Sequence, residues 1–187
     1  MKTAITAAAV LALSGAAMAD DLLLVDLTVP NQVTITATDG VSAIDATSSA
    51  FTGVYLADFY TAGTLPGLGS VAGTGDFTSV GSPSDGTPSI FNSAGNFGLN
   101  IWSFSGAAST FTAGQQAFQG SGTWAVDPDD YAQMVAGNLF GDLYANADTD
   151  DDLPANGVLG TWRVVIPSPG TAGLLGLAGF AAVRRRR

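Results

Sequence analysis

The run Asn146-Ala147-Asp148-Thr149-Asp150-Asp151-Asp152 holds the densest set of chemistry-bearing side chains in the chain. Its four carboxylates fall within five residues and repel one another unless water or a cation neutralises them. Calcium takes about six to eight oxygen ligands, and alternating carboxylates are suited to supply some of them. Asp148, Asp150 and Asp152 are therefore the candidate metal ligands. The run is not an EF-hand loop. Counted from Asn146, position six is Asp151 where Gly is required, and position twelve is Gly157 where Glu is required. The competing reading is a solvated acidic loop between two strands, with no cofactor at all.

Other catalytic chemistry is scarce. The chain has no His and no Cys, which removes the Ser-His-Asp triad, the thiol nucleophile and the usual zinc ligands. Two Asp are able in principle to form an acid/base pair. Asp127, Asp129 and Asp130, however, are better explained as a helix cap and a complement to the helix dipole. No glycine-rich phosphate loop follows a strand. The chain reads as a protein that is not an enzyme. Trp102, Trp124, Trp162, Tyr55, Tyr60 and Tyr144 are the pool for stacking on sugar rings. In a cysteine-free β domain most such rings fill the core.

Charge narrows the partners. All sixteen acidic residues are Asp and lie between residues 20 and 166, where Arg163 is the only cation, so that segment carries about −15. Nucleic acid is excluded as a partner, because phosphate binding needs Lys and Arg. Arg163 reads as a solvent-facing strand residue or as the partner of an Asp. Glu is absent, and Gly, Ser, Thr and Ala abound, so turn formers outnumber strong helix formers.

The elements that must position these groups read as short strands. Gln32 to Thr38 alternates, with Val33, Ile35 and Ala37 opposite Thr34, Thr36 and Thr38. Phe51 to Tyr60 places Phe51, Tyr55 and Phe59 on one face. Phe97 to Phe104 sets Phe97, Leu99 and Ile101 against Trp102 and Phe104. Gln116 to Val126 carries Gly120 and Gly122 beside Trp124, where glycine lets a strand bend or bulge under an aromatic ring. Leu139 to Tyr144 and Val158 to Ile166 close the set. Asp127-Pro128 starts one short helix, ending near Gly137. The expected fold is all-β: a single antiparallel, jelly-roll-like β-sandwich over 20–166, with an open barrel as runner-up. Its inner face should hold Val33, Ile35, Phe97, Leu99, Ile101, Trp124 and Trp162.

Both ends read as addresses. Residues 1–19 have a basic start, an apolar run and an Ala17-Met18-Ala19 cleavage pattern before Asp20, the layout of a secretory signal peptide. Residues 167–187 run Pro167-Ser168-Pro169-Gly170, then thirteen uncharged residues from Thr171 to Val183, then Arg184, Arg185, Arg186 and Arg187. As a helix, those thirteen residues reach about 20 Å at ~1.5 Å each. A bilayer core is roughly 30 Å thick. That length suits a transient stop in the membrane better than a permanent anchor, and four arginines hold the end in the cytoplasm.

This arrangement resembles the PEP-CTERM-type sorting signal processed by exosortases of Gram-negative bacteria. The resemblance covers the last 21 residues and the overall layout, with Ser168 where that family usually carries Glu. It implies an exosortase-type processing enzyme, transient inner-membrane insertion, release to the surface or matrix, and association with exopolysaccharide. The function expected is thus a structural or adhesive protein of the cell surface or extracellular matrix. The alternatives are a carbohydrate-binding module, with or without calcium, and a secreted hydrolase using Asp pairs.

Overall fold

In the computed structural model of the chain, the described residues are 20–49, 52–61, 67–81, 87–102, 108–155 and 157–165. They are mostly β-structure with one short α-helix. The strands in chain order are β1 (Asp21–Asp26), β2 (Gln32–Ala37), β3 (Ala46–Thr47), β4 (Val54–Leu56), β5 (Thr74–Gly75), β6 (Thr78–Ser79) and β7 (Ser89–Phe91). They continue with β8 (Leu99–Trp102), β9 (Thr110–Phe111), β10 (Phe118–Gln119), β11 (Ser121–Ala125), β12 (Phe140–Ala145) and β13 (Val158–Val165). Helix α1 spans Pro128–Val135 between β11 and β12.

Nine strands form one sheet in the order β5-β11-β2-β1-β13-β12-β4-β8-β7. The expectation of a purely antiparallel fold is corrected here. β1 runs parallel to β13, with Leu24 opposite Arg163, while every other pair in the sheet is antiparallel. Alternating hydrophobicity reports which face is buried and is silent on strand direction. The sheet is therefore mixed, and it curls. One segment reaches both of its edges: Val71 exchanges hydrogen bonds of 2.9 and 3.0 Å with Ile90 of β7, while Thr74 pairs with Thr123 of β11.

The concave side holds the main core. Val33, Ile35, Leu99, Ile101, Trp124 and Trp162 are buried there as the alternation predicts. Trp124 donates its indole N–H to the Pro88 carbonyl at 2.9 Å, across from the far end of the sheet. Trp162 packs on Phe59 with ring centroids 5.1 Å apart and donates to the Ala57 carbonyl. Gly122 is required beneath Trp124, since a Cβ there would sit 2.6 Å from the ring.

Two faces differ from expectation. Phe97 is 37% exposed, because the strand begins only at Leu99 and Phe97 lies in the turn before it. Phe59 does not share a face with Tyr55. The strand ends at Leu56, and Asp58 turns the chain with a φ of 53°, which swings Phe59 into the main core. Phe51 lies outside the described residues. In α1, Pro128 occupies the first turn and Asp127 the cap position, yet the Asp127 side chain makes no cap hydrogen bond. Met134 is buried, and Tyr131 ties the helix to the Leu27 carbonyl at 2.6 Å.

Candidate functional site

The acidic run lies on the convex side, in the connection from β12 to β13. Its second half is a 3-10 turn, Asp150–Ala155. Val54, Leu56, Leu99, Ile101, Leu143 and Ala145 point into the main core. Alternation therefore sends Tyr55, Asn100 and Tyr144 to the other face. Register aligns them: Tyr144 lies opposite Tyr55, and Tyr55 opposite Asn100. The run covers this row and closes a small second cluster of Tyr55, Ala57 and Ala147, with Tyr144 and Leu153 at its margin.

Asp150 fastens the cover. Its carboxylate accepts the Tyr55 hydroxyl at 2.7 Å and the Phe97 N–H at 2.8 Å. Its own N–H donates to Asn96 Oδ1 at 3.0 Å. The Tyr55 oxygen in turn accepts the Gly98 N–H at 2.8 Å. Burial pushes the Tyr55 phenol far above its usual range, and the Asp150 carboxylate adds to that rise, so the ring stays a neutral donor. Asn146 anchors the start of the run, its Oδ1 accepting the Ser49 N–H at 2.9 Å and the Thr52 hydroxyl at 3.0 Å.

The three candidate metal ligands are not brought to one point. Asp148 and Asp152 face each other, whereas Asp150 turns away to Tyr55 and Phe97. Burial raises the Asp148 carboxyl above the usual carboxylate range, and its bond to Asp152 raises it further. The Asp148 N–H holds Asp152 below that range, helped by the Asp148 carboxyl and by Thr149. Among the described residues no three acidic side chains form a metal-holding group. A calcium site at Asp148, Asp150 and Asp152 requires Asp150 to give up Tyr55 and Phe97. The expected result is that Ca²⁺ and Mg²⁺ raise the melting temperature equally at matched ionic strength, by screening a body of about −15. A larger rise with Ca²⁺ would establish a specific site.

The other candidate residues are placed as follows. Trp124 and Trp162 are fully buried and present no stacking surface, and Tyr60 is buried in the main core. Arg163 faces solvent on β13 and donates to Asp21 at 2.8 Å, satisfying both parts of its reading. Ala17, Ala19, Pro167, Ser168, Pro169 and Arg184 to Arg187 lie outside the described residues. Among the described residues no helix is long and apolar enough to cross a membrane. The role of Asn100 had no signal in the sequence. Its amide N–H groups face the carbonyls of Thr52, Val54 and Ala147, and its Oδ1 is buried without a donor. No family model, curated protein or solved structure matches this chain.

Proposed function

We propose that the chain is an exported structural or adhesive protein of the cell surface or extracellular matrix, without catalytic activity, delivered by its C-terminal sorting signal. The observation that carries this reading is the order of four parts in one chain. A segment with the layout of a signal peptide is followed by an acidic β body, a Pro-Ser-Pro motif and a short apolar stretch ending in four arginines. An exosortase-type enzyme is the processing partner, with transient inner-membrane insertion before release. Exopolysaccharide is the surrounding partner. A body of about −15 stays soluble there and does not adhere to anionic lipid or nucleic acid. The finer architecture we propose is sandwich-like, the two halves of the curled sheet facing each other, as the Trp124 bond to Pro88 supports.

The test is intact-mass analysis of the protein recovered from its native host. The expected mass lacks residues 1–19 and also lacks Arg184 to Arg187. A soluble surface protein that still carries the four arginines would overturn the sorting reading.

A further inference from the structure

The row on the convex face has a composition that packing alone does not explain. Adjacent strands lie about 4.8 Å apart, so the register partners Tyr144, Tyr55 and Asn100 are direct neighbours on one face. Asn100 Oδ1 is buried there and accepts no hydrogen bond from the protein. Three carbonyls around Nδ2 fix which end of the amide is the donor, so the orphan is the acceptor. A buried acceptor without a donor is rare in folded proteins.

The cover over this row is also unusual. Among its residues whose burial is described, Ala147 is the one fully buried apolar side chain and Leu153 is half-buried. Hydrogen bonds hold the rest, through Asn146, the Ala147 carbonyl and both carboxylate oxygens of Asp150. Segments fastened by polar bonds with little buried apolar area open at lower free energy than a core.

We propose that Tyr144, Tyr55 and Asn100 form a saccharide-binding row, and that residues 146–155 are its lid, latched by Asp150. With the lid open, the two tyrosine rings offer flat apolar faces with polar tips. Asn100 Oδ1, the buried acceptor without a donor, accepts a hydrogen bond from a sugar hydroxyl. An anion is repelled by Asp58 and Asp142, whose charges already act on Tyr55 and Tyr144. A purely apolar ligand leaves Asn100 Oδ1 unpaired. A neutral chain of pyranose rings meets both demands. The inference deepens the matrix reading, on which the choice of a polysaccharide over a free metabolite rests.

The experiment measures binding of cellohexaose, chitohexaose and maltohexaose to the full chain by calorimetry, together with hydrogen exchange. Asp150→Ala is expected to speed exchange within 146–155 at least tenfold while β13 amides stay unchanged. It should also tighten binding of at least one hexasaccharide several-fold. Tyr144→Ala is expected to weaken that binding at least tenfold without speeding exchange in the lid. If none of the three sugars binds either the parent chain or Asp150→Ala, the saccharide row is overturned. If exchange in β13 rises together with the lid, the lid is overturned. Should Asp150→Ala fail to fold, the parent chain and Tyr144→Ala decide the matter alone. Intact mass tests sorting separately: a chain that keeps its arginines yet binds a hexasaccharide sinks the export reading and leaves the site standing.

Discussion

Trp124→Ala is expected to destabilise the protein by roughly 3–5 kcal/mol, the range for removing a large aromatic ring from a core. The ring is fully buried. It stands edge-on to Phe77 at 6.4 Å and 75°, and its N–H satisfies the buried Pro88 carbonyl. Alanine removes the ring and leaves that carbonyl without a partner. Total stability of a domain is about 5–15 kcal/mol, so this one change removes a large fraction of it. Urea unfolding should show a lower midpoint with an unchanged slope. Trp124→Phe keeps most of the apolar area and loses the bond, so its cost should be smaller, about 1–3 kcal/mol. An unchanged midpoint for the alanine variant would remove Trp124 from the core. If glycan binding were lost at the same time, the ring would be a surface platform after all.

Period-two alternation was enough to place Val33, Ile35, Leu99, Ile101, Trp124 and Trp162 inside, because one side of each strand faces the core. It failed where a local turn broke the period. Asp58 reverses the chain between Tyr55 and Phe59, and Phe97 precedes the first paired residue of β8. Nothing in a local pattern reveals that β1 lies beside β13, more than 130 residues away and parallel to it. The acidic run was legible as a cluster and illegible as a cover. Its role depends on Tyr55, 95 residues earlier, and on Phe97, 53 residues earlier. The carboxylate spacing that invites a calcium reading is the spacing that lets Asp150 point one way while Asp148 and Asp152 point another.

A chain that begins at Leu27 instead of Asp20 is expected not to fold. β1 is an interior strand of the sheet, flanked by β2 on one side and β13 on the other. Leu22, Leu23 and Val25 are each at most 1% exposed. Their burial contributes roughly 5–9 kcal/mol at about 1.5–3 kcal/mol per side chain. That is comparable to the whole stability of a domain. Removing the strand also bares the ladder groups of β2 and β13 as two new edges. Asp20, just before β1, is tied into the fold. Its carbonyl accepts the Thr161 N–H at 2.9 Å and the Thr161 hydroxyl at 3.1 Å, and its carboxylate accepts the Val41 N–H at 3.1 Å. The proposed leader cut after Ala19 would leave every one of these contacts intact, and a cut only a few residues later would strip an interior strand. Circular dichroism and limited proteolysis of chains starting at Asp20 and at Leu27 make the comparison. The first should melt cooperatively and resist protease, and the second should do neither. A cooperative transition in the shorter chain would mean that β1 is an appendage, and the link between the cleavage site and the start of the fold would be lost.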